Sequence, residues 1–147
     1  MTDTIDTRVR LLIYREFVQN GRAPSSNRIA ELAEMPVEEI RAAMERLVAG
    51  RVIVLQPESR EIMIAAPLSN VPTPYLVRAK QSFFGACVWD ALGIIAMLKT
   101  DATLDTPCPC CGEAMAIEVR DGDLLPMRGI VHFGVPAKKW WENLVFT

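Results

Sequence analysis

Residues 36–67 read PVEEIRAAMERLVAGRVIVLQPESREIMIAAP, and within them a helical repeat changes into two short strand-like segments. Pro36 opens a helix whose apolar residues recur at helical spacing, and Gly50 ends it. Two β-rich segments then flank a Pro-Glu-Ser turn, which predicts a hairpin. The apolar positions of the helix are Val37, Ile40, Met44 and Leu47.

Two further helical patterns precede this stretch. Residues 7–20, TRVRLLIYREFVQN, carry apolar residues on one helical face, and Asn20-Gly21 closes that helix. Residues 26–35, SNRIAELAEM, follow as a short second helix capped by Ser25 or Ser26. Three helices and a hairpin together predict a winged-helix-like module over residues 1–66.

The charge of this module argues against the usual role of a winged helix, which is to lay its third helix in a DNA major groove. Between residues 31 and 51 five Glu oppose three Arg, so the net charge is −2 where phosphate contacts need positive charge. We therefore do not expect nucleic acid as a partner. A DNA-binding regulator is kept only as a second alternative.

The whole chain has 147 residues, of which 50% are hydrophobic, and a formal net charge of −2. No strong positive field favours nucleic acid or an anionic membrane. The first ten residues lack an apolar signal core, and no apolar run reaches the roughly 18 residues of a membrane span. The sequence therefore predicts a cytoplasmic protein without a membrane partner, in which the four cysteines stay reduced.

The second half predicts a small mixed α/β core domain, which makes the fold class α+β. Residues 67–80, PLSNVPTPYLVRAK, form a connector or crossing strand, and residues 81–147 form the core. Residues 81–100, QSFFGACVWDALGIIAMLKT, predict one buried central helix. Antiparallel strands are expected at 114–119 and 129–135, a hairpin at 120–123, a helical turn from Pro136 and a strand-like ending at 144–146.

Cys87 and Asp90 lie three positions apart in the apolar stretch FGACVWDALG, residues 84–93. On a helix, this spacing brings the two side chains to one face. Loss of hydration raises the pKa of an Asp from about 3.9, and a neighbouring Cys supplies a soft nucleophile or metal ligand. The alternative is a buried thiol that packs as a small hydrophobe, beside an Asp satisfied by a backbone amide or by Arg78. The spacing leaves both interpretations open.

The other cysteine cluster is PCPCCGE, residues 107–113, where Cys108 and Cys111 form a C-x-x-C pattern with Cys110 between them. This pattern occurs in zinc knuckles, but a closed zinc site needs four ligands and usually two knuckles. Only Cys87 and His132 remain, far away in the sequence, so we do not expect structural zinc. Surface or partly buried thiols in a turn are the favoured interpretation.

Three further residues are weaker candidates. His132 is the only histidine, and within an apolar strand it is expected to be a core or edge residue rather than a catalytic one. Trp140 and Trp141 either line a pocket for an apolar group or belong to the core. The sequence has no glycine-rich phosphate loop, no H-E-x-x-H motif and no Ser-His-Asp signature.

Taken together, these segments make the chain resemble the organomercurial (alkylmercury) lyase family over nearly its whole length. The most specific piece is ACVWDAL, residues 86–92, because the family has a catalytic Cys and a catalytic Asp at this C-x-x-D spacing on a buried helix. The resemblance implies that Cys87 is the mercury-binding thiolate and Asp90 the proton carrier. The other matching segments are the amino-terminal module, the connector, TPCPCCGE and VHFGVPAKKWWENLVFT.

The resemblance implies protonolysis of a carbon–mercury bond, which releases a hydrocarbon and Hg(II). The implied partners are an organomercurial small molecule and thiols that exchange on mercury, and no organic cofactor is required. The family also uses a second active-site Cys, which would fall just beyond Thr147, and this chain has no cysteine after Cys111. Turnover is therefore expected to be impaired unless Cys108, Cys110 or Cys111 replaces it. The first alternative is a non-catalytic protein that binds or senses soft metals or mercurials.

Overall fold

The computed structural model describes residues 4–142. In chain order its helices and strands are α1 (Ile5–Asn20), α2 (Ser26–Ala33), α3 (Val37–Ala49), β1 (Ile53–Leu55), β2 (Ile62–Ala65), β3 (Leu68–Ser69), β4 (Leu76–Arg78), β5 (Ser82–Gly85), α4 (Val88–Leu98), β6 (Ala102–Pro107), β7 (Ala114–Arg120), β8 (Asp123–Leu124) and a final 3-10 helix (Ala137–Glu142). The α+β class, with three amino-terminal helices and an antiparallel sheet, is confirmed. The expected strand-like ending at 144–146 lies outside the described residues.

The three amino-terminal helices form where the sequence predicts them because their end signals are local. Thr4 accepts a hydrogen bond from the backbone of Thr7 and starts α1, while Gly21, at φ 71°, ends it in the left-handed conformation. Ser25 is the residue that caps α2. The buried faces of the helices meet in a core that includes Val9, Ile13, Phe17, Ile29, Ile40 and Met44.

The strands form one eight-stranded sheet in the order β1-β2-β3-β5-β4-β6-β7-β8, and all neighbouring pairs are antiparallel. The predicted hairpin is β1 and β2, and the predicted turn at 120–123 joins β7 to β8. Residues 67–80 contribute β3 and β4 to the middle of the same sheet. The division into a module, a connector and a core domain stays a prediction.

Helix α4 packs across the centre of this sheet, where it contacts β3, β4, β5 and β6. Ala91 and Ile94 of α4 are fully buried, and the core continues from this helix to the three amino-terminal helices. The amino-terminal layer is also fastened by polar contacts, since Tyr14 donates a hydrogen bond to the carbonyl of Ala66. Within residues 4–142, no helix is long and apolar enough to span a membrane.

The prediction of a single helix over residues 81–100 is wrong in its first part. Residues Ser82–Gly85 form strand β5, which pairs with β3 and β4, and the helix starts only at Val88. A continuous apolar run has no period of its own, so only pairing with neighbouring strands distinguishes a strand from a helix here. The prediction that this central helix is buried is also wrong at two positions, because Trp89 and Met97 are 63% and 40% exposed.

The strand predicted at 129–135 is also wrong, because these residues have no regular secondary structure. Its alternating pattern resembles that of β7, but a strand needs a partner, and β8, the sheet's last strand, ends earlier, at Leu124. The helical turn predicted from Pro136 is confirmed as the 3-10 helix Ala137–Glu142.

Candidate active site

The junction between β5 and α4 determines the position of Cys87 and Asp90. Gly85 is the last residue of β5 and lies directly against the backbone of Ala91, so the chain turns sharply from strand to helix. Cys87 has an extended backbone and is the residue that precedes the first helical turn, while Asp90 lies within that turn. Cys87 is therefore at the start of the helix, whereas the sequence had predicted that it lies inside a longer helix.

Within this junction the thiol and the carboxyl group are in contact. The thiol of Cys87 donates a hydrogen bond to Oδ2 of Asp90, and the sulfur and oxygen are 3.5 Å apart. Both side chains are half-buried. The pair can exchange a proton directly, because no other atom needs to intervene between donor and acceptor.

Burial changes the acidity of both groups in the same direction. It raises the pKa of Asp90, and the hydrogen bond from Cys87 opposes this only in part. Burial also raises the pKa of the Cys87 thiol, although the backbone N–H groups of Asp90 and Trp89 favour the thiolate. Asp90 therefore holds a proton to higher pH than an exposed Asp. When a soft cation displaces the thiol proton of Cys87, the adjacent Asp90 carboxylate can accept that proton.

Trp89, at the start of α4, lines an aromatic concavity of about 720 Å³, although Cys87 and Asp90 are not among its lining residues. Trp89, which lies between Cys87 and Asp90 in sequence, forms one wall, and Phe133 and Trp140 form another. The rings of Phe133 and Trp140 are 4.9 Å apart between centroids, and Nε1 of Trp140 donates a hydrogen bond to the carbonyl of Val135. The concavity is apolar and open enough to accept a small hydrocarbon group.

The C-x-x-C segment forms the turn between β6 and β7. The N–H of Cys108 donates to the carbonyl of Glu113, and the N–H of Gly112 donates to the carbonyl of Cys108. The N–H groups of Cys111 and Cys110 and the thiol of Cys111 lower the pKa of Cys108. Cys110 and Cys111 are exposed, and the expectation of partly buried or surface thiols in a turn agrees with this environment.

The remaining candidate residues have different environments. His132 is exposed in the irregular segment after β8, so the expectation that it lies in a strand is wrong. Trp140 lines the aromatic concavity, whereas Trp141 is not among the residues lining it. Trp89 and Phe133 also line the concavity, which the sequence did not predict; the position of Trp89 between Cys87 and Asp90 was the available signal. Across residues 4–142 no group of three or more His, Cys, Asp or Glu side chains is arranged to hold a metal ion.

Cys87 and Asp90 form a half-buried thiol–carboxyl pair, and Trp89 between them lines an apolar concavity. A site of this class is suited to proton transfer at a soft substrate that binds sulfur. Residues 68–147 match the family model of alkylmercury lyase, so the chain belongs to this family. This family assignment rests on more than half of the chain.

A search of solved structures supports the same fold. The chain is similar to the mercury-bound form of MerB2, with a TM-score of 0.65 and 19% sequence identity over 81% of this chain. The chain spans 59% of the length of that protein. No curated protein sequence matches.

Proposed function

We propose that the protein cleaves the carbon–mercury bond of organomercurials by protonolysis, with Cys87 as the mercury-binding nucleophile and Asp90 as the proton carrier. The observation that carries the proposal is the 3.5 Å contact between the Cys87 sulfur and the Asp90 carboxylate. Membership of the alkylmercury lyase family supports the reaction class.

In the first step the sulfur of Cys87 bonds to mercury while its proton moves to Asp90. Thiolate sulfur is soft and binds mercury strongly, and a second sulfur on mercury pushes electron density onto the attached carbon. In the second step Asp90 gives the proton to that carbon, and the carbon–mercury bond breaks. The overall change is R–Hg–SR′ + Cys87–SH → R–H + Cys87–S–Hg–SR′, with no change in oxidation state and no organic cofactor.

The raised pKa of Asp90 fits this role. An exposed Asp is ionised at neutral pH and is a weak acid catalyst because it gives up its proton too early. Burial shifts the pKa of Asp90 upward, toward the range in which a carboxyl group both accepts and donates a proton during one cycle.

The organic group of the substrate would lie in the aromatic concavity beside Trp89. Its apolar rings match a hydrocarbon group attached to mercury, and the opening leaves access for a thiol from solution. That thiol supplies the SR′ ligand of mercury in the reaction above. Cys87 supplies the other sulfur ligand, which Cys87→Ser would remove. We propose that the amino-terminal helices and the β1–β2 hairpin act as a winged-helix-like module that supports this site rather than contacting DNA.

The same proposal includes a reducing environment, which the cytoplasm provides. All four cysteines are free thiols, and the reaction consumes a thiol proton at Cys87.

The test is release of benzene from a phenylmercury salt with excess 2-mercaptoethanol, measured by gas chromatography. We expect release by the wild type and a loss of about 100-fold or more with Cys87→Ser or Asp90→Asn, because each removes a reacting group. Cys110→Ser, an exposed thiol outside the junction, is the matched control and should keep wild-type release. Full activity of Asp90→Asn would disprove the proton-carrier role. Tight mercury binding without benzene release by the wild type would reduce the function to binding.

A further inference from the structure

The turn between β6 and β7 concentrates three of the four cysteines of the chain in four residues. The proposed lyase reaction uses none of them. Within the turn, Cys108 and Cys111 are the outer cysteines of the C-x-x-C pattern, and Cys110 lies between them.

The backbone of the turn is closed by its own hydrogen bonds. The N–H of Cys108 and the carbonyl of Glu113 are 2.7 Å apart from donor to acceptor, and the N–H of Gly112 lies 2.8 Å from the carbonyl of Cys108. Gly112 has φ 75°, a left-handed conformation that suits glycine. The backbone of the turn therefore keeps Cys108 and Cys111 close together in the chain's path, so the pair needs little ordering to bind a common ion.

The number of ligands restricts the kind of ion. Tetrahedral zinc needs four ligands, and among residues 4–142 no group of three or more His, Cys, Asp or Glu side chains is arranged to hold a metal ion, the three cysteines of this turn included. A pair of thiolates instead matches soft cations, which accept linear coordination by two sulfurs. Hg(II), the inorganic product of the proposed function, is such a cation.

The sheet brings this turn to the same end as the candidate active site. Strand β4 pairs with β5 on one side and with β6 on the other, and Leu76 is opposite both Phe84 and Asp105. β5 and β6 therefore run in the same direction, about 10 Å apart across β4. Cys87 comes three residues after Phe84, and Cys108 comes three residues after Asp105, so both follow their strands at the same end of the sheet.

We infer that Cys108 and Cys111 form a second mercury site, which takes Hg(II) from small thiol complexes at the same end of the sheet as Cys87. The exchange is RS–Hg–SR + Cys108–S⁻ + Cys111–SH → Cys108–S–Hg–S–Cys111 + RS⁻ + RSH. Two sulfur–mercury bonds break and two form, the proton of Cys111 leaves on the released thiol, and mercury stays Hg(II). The second bond is intramolecular, so the pair outcompetes single thiols in solution. The inference rests on the proposed function only for the origin of the Hg(II).

The test uses the full reduced chain with Cys87→Ser, so that the turn is the site under observation and no carbon–mercury cleavage is required. The protein is incubated with HgCl₂ and an excess of 2-mercaptoethanol, and bound mercury is counted by native mass spectrometry of the monomer. We expect about one retained Hg(II) per chain. Adding Cys108→Ser or Cys111→Ser should lower the retained mercury about tenfold or more, because a single thiol loses the advantage of the intramolecular second bond.

The matched control is Cys110→Ser in the same background, which removes an exposed thiol of the same turn and should leave retention unchanged. Equal losses with Cys110→Ser and Cys108→Ser would overturn the assignment of the pair, as would retention without Cys108 or Cys111. Absence of retained mercury in Cys87→Ser alone would overturn the site itself. Because HgCl₂ contains no carbon–mercury bond, these outcomes are independent of whether benzene is released in the lyase assay.

Discussion

Gly85 of β5 lies directly against Ala91 of α4, and the substitution Gly85→Ala tests whether this contact holds the candidate site in place. A Cβ at Gly85 would lie 2.6 Å from the backbone nitrogen of Ala91, 2.8 Å from its Cα and 3.0 Å from its Cβ. The first two neighbours are backbone atoms of a buried helical residue, so no flexible side chain can move aside. The helix or the strand must shift by several tenths of an ångström.

Overpacking of this kind costs about 1–3 kcal/mol of unfolding free energy. For a chain of this size, the corresponding decrease in melting temperature is roughly 3–10 °C. The same displacement moves the first turn of α4, which carries Asp90, relative to Cys87, which precedes the helix. We therefore expect Gly85→Ala to lower benzene release more than stability alone explains under conditions in which the variant stays folded.

Gly93→Ala provides the matched control. Gly93 is also a glycine of the β5–α4 region, but there is space around it for an added Cβ. A Cβ at Gly93 would lie 3.6 Å from the Cβ of Pro67, an ordinary contact. Since Gly inside a helix costs about 0.5–1 kcal/mol relative to Ala, Gly93→Ala should raise the free energy of unfolding. Urea unfolding followed by circular dichroism measures both variants. Equal stabilities of Gly85→Ala and the wild type would refute the reasoning that this contact fixes the junction.

Three further substitutions test other contacts. Burial raises the pKa of Asp90, so the folded state loses stability as the pH rises through that pKa and the carboxyl group ionises. Asp90→Asn should therefore be more stable than the wild type at neutral pH but not below about pH 3. Urea titrations at both pH values measure this, and the same stability difference between variant and wild type at the two pH values would contradict it. Glu61→Ala removes the acceptor of two hydrogen bonds from Ser26, at 2.8 and 2.6 Å, and should cost about 1–3 kcal/mol in the same titration. Tyr14→Phe removes the 2.6 Å hydrogen bond to the carbonyl of Ala66 and should cost about 0.5–1.5 kcal/mol, whereas no loss would mean that water replaces the phenol.

The local parts of the fold could be predicted from the sequence. Thr4, Ser25 and Gly21 start or end helices through contacts with residues at most four positions away, and the hairpin of β1 and β2 follows from its own turn. The pairing of Cys87 with Asp90 also needed only their spacing, because a residue at the start of a helix and one in its first turn always lie close together.

Long-range pairing decided what the sequence could not. The segment Ser82–Gly85 is as apolar as the helix that follows, and it becomes a strand only because β3 and β4 offer hydrogen-bonding partners on both sides. The segment 129–135 has the alternation of a strand, but it pairs with no strand of the described sheet and is irregular.

The candidate site divides in the same way. The sequence by itself marked Cys87 with Asp90 as candidate reacting residues and placed the other three thiols in a turn, because side-chain type and spacing are local properties. Only the tertiary structure decided that Trp89 faces an open aromatic concavity and that Cys87 and Cys108 leave the sheet at one end. The placement of Cys87 and Cys108 depends on the order of β5, β4 and β6 in the sheet. That order comes from contacts between residues far apart in the chain, which no local pattern encodes.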